Sequence, residues 1–116
     1  MEILESRGED AAVLHIIGRV NSSNAVLLEE RLKRLIDAGC RGIIVDLARL
    51  DHMTSVGLRY LLRGDKQVAD AGGKLVICGL QGLTRELFEV GGFLDMFTIA
   101  QTRDEAMRQM AATQHS

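Results

Sequence analysis

The chain contains no proline, and aromatic residues make up only 3% of it. Without proline, the twelve glycines carry most of the punctuation between elements. The scarcity of aromatics removes the stacking platforms on which single-stranded nucleic acids are held. A formal net charge of −2 gives no electrostatic footprint for nucleic acid or an anionic membrane. Only two cysteines occur, Cys40 and Cys78, each in or beside an apolar stretch and outside any CxxC or metal-type spacing. They read as small core thiols of a protein kept in a reducing compartment. No apolar run approaches the ~20 residues of a membrane span. The charged opening MEILESRGED does not read as a signal peptide. A soluble, cytoplasmic protein with no nucleic-acid or membrane partner is therefore expected.

Catalytic signatures are missing as well. There is no GxxxxGK[ST], no GxGxxG and no GxSxG. His52 and Ser55 stand three residues apart in a loop, without the strained elbow that a serine nucleophile uses. The expectation is a protein that is not an enzyme and holds no metal or cofactor of its own.

What is present suits one globular domain. The 116 residues are 47% hydrophobic and 26% charged, enough to bury a core without staples. A single domain is expected over residues 1–116, with its core at about 2–112 and a frayed tail at 113–116 that contains His115. MEILESRG and AAVLHIIG read as two strands of a hairpin around GED. RVNSSN then breaks the pattern, with Asn21, Ser22 and Ser23 as candidate N-caps. AVLLEERLKRLIDAG has a helical period, with Val26, Leu27, Leu32, Leu35 and Ile36 on one face and Gly39 as the stop. Glu29 and Glu30, ahead of Arg31, Lys33 and Arg34, read as a solvated face with i,i+4 pairing. The unbroken run in GIIVDL suits a strand covered on both faces.

A helix from about Ser55 to Ala71 follows, with Leu58, Leu61, Leu62 and Val68 as its apolar face. KLVICG is another buried strand, LTRELFEVGG a short helix ended by Gly91, and FTIA a last strand. TRDEAMRQMAA is a last helix, with Thr102 as its cap. His15 falls mid-strand and reads as structural or edge-exposed. The order β-β-α-β-α-β-α-β-α predicts an α/β fold with a mixed, mostly parallel sheet of four to five strands and about four helices. In such sheets sites gather on the loops that leave the carboxyl ends of the strands. Two loops qualify, GRVNSSN and DHMTSVG. A hydroxyl of Thr54 or Ser55 caps the helix that the second loop opens. That helix end also tolerates an anion, so a phosphate on a serine there would not break it.

At these residues a family resemblance enters. IIVDLARLDHMTSVGLRYLL, then AGGKLVICGL, then LTRELFEVGGFLDMFTI, resembles the STAS domain of bacterial anti-sigma factor antagonists, from about Val13 to Met107. The resemblance implies the STAS fold and a partner-switching regulator. In that family the loop usually reads Asp-Ser-x-Gly-Leu, and its serine is phosphorylated by a kinase that is itself the anti-sigma factor. The unphosphorylated antagonist binds the kinase and frees the sigma factor, which it touches only indirectly. A serine phosphatase resets the switch, and ATP and Mg belong to the kinase. Aligned on Gly57 and Leu58, the family serine falls on Ser55 and the strand-end aspartate on Asp46.

Two positions depart from the family. Thr54 replaces the usual aspartate, and Asn21 replaces the acid of a Gly-x-Leu-Asp segment. Both changes remove negative charge near Ser55 if the loops are adjacent. The resemblance thus implies a partner surface made of Asn21, Ser22, Ser23, Asn24, His52, Met53, Thr54, Ser55, Val56, Gly57 and Arg59. Asp46 supports its strand end, and Gly57 leaves room for a partner's backbone. The alternative that the two departures favour is a non-switching STAS interaction subunit of a sensory complex or a lipid transporter.

Overall fold

The computed structural model describes residues 1–114. Its elements run β1 (Glu2–Arg7), β2 (Ala12–Val20), α1 (Val26–Asp37), β3 (Gly42–Asp46), β4 (Leu50–Met53), α2 (Ser55–Asp70), β5 (Lys74–Cys78), α3 (Gly82–Val90), a 3-10 turn (Phe93–Asp95), β6 (Thr98–Ile99) and α4 (Arg103–Gln114). β1 pairs antiparallel with β2, and every other pairing is parallel. The strands lie in the order β1-β2-β3-β5-β6, with β4 against β2. This is the mixed, mostly parallel α/β architecture that the alternation of periods implies. No helix among the described residues is long and apolar enough to cross a membrane.

The unbroken apolar run of β3 is explained by its two covered faces. Ile43, Val45 and Leu47 point to a core shared with Leu28, Leu32 and Leu35 of α1 and Leu58, Leu61 and Val68 of α2. Ile44 points the other way, to Val13, Val76 and Cys78 under Ala106 and Met110 of α4. Burial pushes the Cys78 thiol up to about 12, with the nearby Asp46 charge adding to the rise and Arg103 opposing it. The thiol is inert packing, as its apolar surroundings dictate.

Three local readings change. One strand more than expected is present, because Leu50–Met53 forms β4 and not loop. β2 does not stop at Gly18. A register shift at Gly18/Arg19 lets it run on to Val20 and pair with β4, and Gly18 takes a φ of +93° there, which a side chain would resist. The inward stripe of α1 is Ala25, Leu28, Leu32 and Leu35, while Val26 and Leu27 are 40% and 47% exposed. The two exposed residues fall one and two positions off the 3-4-3 spacing of that stripe.

Glu29 also departs from a solvated helix face. Its carboxylate is 16% exposed and reaches across to α2, accepting from Arg63 at 3.2 Å and Gln67 at 3.3 Å. Gly64 on α2 faces Leu32 so closely that a Cβ would collide with its side chain. The glycine thus sets how near the two helices can lie. Gly39, Gly91 and Thr102 end or cap their helices as the sequence indicates. α4 runs to Gln114, the second residue of the expected tail, and His115 and Ser116 lie outside the described residues.

Leu32→Ala should cost about 2–5 kcal/mol, since it empties a site between two helices. Leu27→Ser should change stability by less than about 0.5 kcal/mol. Denaturant midpoints of the two variants check the assigned face; the reverse order would place Leu27 inside.

Candidate functional site

Two loops meet because two strands lie side by side. β2 ends at Val20 and β4 at Met53, which face each other in a parallel pair. The Thr54 amide donates to the Val20 carbonyl at 3.0 Å, so the second loop is tied to the mouth of the first. Gly57 follows in the first turn of α2 and is buried against both strand ends. A Cβ there would stand 2.8 Å from Val20 Cγ1 and 3.0 Å from Met53 Cγ. That position therefore needs glycine for an internal approach. Gly57 and Met53 are both buried and shape the site from beneath. These internal contacts require a glycine at 57 independently of its expected role as room for a partner's backbone.

The first loop is held by its own asparagines. Asn21 Oδ1 accepts from the Ser23 amide at 2.9 Å, and Asn24 Oδ1 accepts from the Asn21 amide at 2.9 Å. Asn24 Nδ2 donates to the Arg19 carbonyl at 3.0 Å. This is the reciprocal logic of a capping box, one turn ahead of α1. The N-cap of α1 is Ala25, without a side-chain cap bond, so none of the three candidates caps the helix itself; Asn21 holds the turn ahead of it, and Ser22 and Ser23 stay exposed on the rim.

The second loop divides two duties between neighbours. Thr54 has an extended backbone (φ −85°, ψ 166°), and its Oγ1 accepts from the Gly57 amide at 3.2 Å. Thr54 is the cap of α2. Ser55 is the first helical residue, exposed, and its hydroxyl has no hydrogen bond among the described residues. Val56 is half-buried and His52 exposed. His52 and Ser55 share no hydrogen bond among the described residues, so no Ser–His couple forms here. The first turn of α2 carries no acidic side chain. Arg59, one turn on, is exposed and makes no ion pair among the described residues. Arg63, the next turn, is occupied by Glu29 and lies 5.3 Å over the Tyr60 ring.

Asp46 supports its strand end, but not beside Ser55. Its Oδ1 accepts from the Ala48 amide at 2.9 Å, and its Oδ2 pairs with His15 Nδ1 at 3.2 Å. His15 Nε2 in turn lies 3.3 Å from Ser6 Oγ, so His15 is structural. Asp46 is opposite His15 and Met53 opposite Val20, five residues further along β2. At the rise of a strand that is roughly 16 Å. Asp46 acts on the turn that carries the chain from β3 into β4. Gln81 Nε2 closes the same turn from the other side, donating to the Ala48 carbonyl at 2.7 Å.

One feature beside the loop has no counterpart in the sequence reading. Met53 and His52 form one wall of a shallow groove of about 280 Å³, and Leu83, Leu87 and Val90 of α3 form the other. Leu83 is 74% exposed and Val90 90%. The signal was a second apolar stripe on α3 at 83, 87 and 90, beside the buried Thr84 and Phe88.

Thr54→Ala should lower stability by about 0.5–2 kcal/mol, and Ser55→Ala by less than about 0.5 kcal/mol, when both are unfolded in urea. Equal losses would mean that the cap is shared.

The comparisons with known proteins agree with this architecture. The STAS domain model matches residues 4–106. BtrV of Bordetella bronchiseptica, which carries the name of an anti-sigma factor antagonist, is 45% identical over 89 residues, 77% of this chain and 77% of that protein. The crystal structure of an anti-sigma factor antagonist from Mycobacterium paratuberculosis matches with a TM-score of 0.84 at 19% identity, over 95% of this chain and 93% of that one. The phosphorylated form of SpoIIAA, a Bacillus cell fate determinant, matches with a TM-score of 0.70 at 18% identity, over 93% of this chain and 98% of that one. The chain belongs to the STAS domain family, among its anti-sigma factor antagonists.

Proposed function

We propose that the unphosphorylated protein binds an anti-sigma factor serine kinase and so releases a sigma factor, and that phosphorylation of Ser55 ends the interaction. The observation that carries this reading is the division between Thr54 and Ser55. Thr54 holds the helix end, which leaves the neighbouring hydroxyl exposed and free to be modified. The kinase brings ATP and Mg. Its γ-phosphoryl group passes to Ser55 Oγ, ADP leaves, and the hydroxyl proton goes to a base on the kinase. A serine phosphatase returns the group to water as phosphate.

A phosphate adds about −1.5 to −2 charges. At the exposed end of a helix it is favoured by about 0.3–1 kcal/mol, so the fold has no reason to yield. Within an interface the same dianion must shed water and repels any facing carboxylate. A cost of about 3 kcal/mol there is roughly 100-fold in affinity. The partner surface is made of Asn21 to Asn24, the exposed parts of His52 to Val56, and Arg59. Asn21 and Thr54 leave this surface without the family's two acids, and Arg59 gives it a free cation. It therefore suits a partner face that presents carboxylates. Relatives with the SpoIIAA architecture include one whose structure is of the phosphorylated form.

Incubation with the cognate kinase and ATP, followed by mass spectrometry, should place phosphate on Ser55. Phosphate on Thr54 alone would overturn the residue assignment, and none on either would favour a non-switching interaction subunit. Ser55→Ala should stay bound to the kinase, and Ser55→Asp, with one charge and two oxygens, should weaken binding only in part. Arg59→Glu should weaken kinase binding about 10-fold or more with the melting temperature nearly unchanged. An unaltered affinity would remove Arg59 from the surface.

A further inference from the structure

Ser55 and Arg59 are four residues apart on one helix, and both are exposed. Such pairs are neighbours, with Cβ atoms about 5–6 Å apart. Direction adds to spacing. Long side chains on a helix lean toward its N-terminus, over the residue four places earlier. The natural reach of the Arg59 guanidinium is therefore toward Ser55.

No competing anion holds Arg59. It makes no ion pair among the described residues, and the first turn of α2 has no acid. Charges near this end of the sheet include Arg19 on β2, Arg49 in the turn before β4, Asp51 and His52 on β4 itself, and Glu86 of α3, which lines the groove with His52. The facing helix α1 offers Glu29, which Arg63 and Gln67 already occupy. The Ser55 hydroxyl, for its part, makes no bond among the described residues that a phosphate would have to break.

We propose that phosphorylation of Ser55 draws Arg59 into a phosphoserine–arginine pair within α2, so that the modification withdraws a cation from the partner surface as well as adding a dianion. The inference rests on the reading of Ser55 as the switch residue, and it deepens it. A phosphate has three acceptor oxygens, and the planar guanidinium fork matches two of them at once. The unmodified protein presents Arg59 to the partner. The modified protein folds the same side chain back over its own helix. Two changes of one sign then act on a partner face that carries carboxylates, one by repulsion and one by a lost attraction. Arg63 cannot substitute, because it lies a further turn away and is held by Glu29 and the Tyr60 ring.

The test needs no kinase. Phosphoserine is placed at position 55 during translation, in the wild-type background and in Arg59→Gln and Arg59→Lys. The second ionisation of the phosphate is followed by ³¹P NMR across pH 4 to 8, and the Arg59 Nε–H signal by ¹⁵N NMR. With Arg59 present the phosphate should titrate lower by about 0.3 pH unit or more than in Arg59→Gln, and the gap should shrink in high salt. Arg59→Lys should recover part of the shift, since it keeps the charge and loses the fork. The Arg59 Nε–H signal should move on phosphorylation. Identical titrations in wild type and Arg59→Gln, with an unmoved Nε–H, would overturn the pair. A cognate kinase that leaves Ser55 unmodified, while the titration gap stands, would instead sink the switch reading and leave the pair's chemistry intact.

Discussion

The parallel pairing of β4 with the last residues of β2 is the constraint on which the site depends. It brings Val20 and Met53 level, and it lets the Thr54 amide reach the Val20 carbonyl. Without it the two loops would leave the sheet at unrelated heights. The pairing depends in turn on the short turn between β3 and β4. Asp46 and Gln81 hold that turn through the amide and carbonyl of Ala48. Gly79 leaves it room, since a Cβ there would lie 2.7 Å from the Ala48 nitrogen. The strand-end aspartate thus positions the loop that carries Thr54 and Ser55 from a distance, through the backbone and not through its charge.

The second consequence is chemical. A helix needs a cap, and a regulatory serine needs a free hydroxyl. If one residue did both, each phosphorylation would trade a capping hydrogen bond for a charge, at about 0.5–2 kcal/mol. Here Thr54 takes the cap and Ser55 stays free. Where the resemblance implies an aspartate, Thr54 still supplies a side-chain acceptor for the Gly57 amide and places no carboxylate beside Ser55. The capping bond and the free hydroxyl thereby fall on adjacent residues that do not compete.

Much of this was legible in the sequence, for identifiable reasons. β3 announces itself by an apolar run that only a doubly covered strand tolerates, and α2 by its Leu58–Leu61–Val68 stripe. The place of Ser55 follows from the start of that stripe. β4 was not legible, because Leu50-Asp51-His52-Met53 has its buried residues at the two ends and polar ones between, with no alternation to read. Its partner is half of a nine-residue strand whose Gly18 looks like a terminator and is a bend. The inward turn of Glu29 was hidden because charge spacing on one helix carries no information about a second. The roles of Gly57 and of Thr54 against Ser55 are matters of a few ångströms, below what spacing alone distinguishes.

The central claim is that modification of Ser55 rewrites a surface and leaves the fold alone. The most direct measurement is a comparison of backbone amide spectra and exchange rates for the protein with serine and with phosphoserine at 55. Shifts should be confined to residues 21–24 and 52–59, and the amides of α2 and β3 should keep their protection. Widespread shifts through β3 and β5, or faster exchange along α2, would contradict the account.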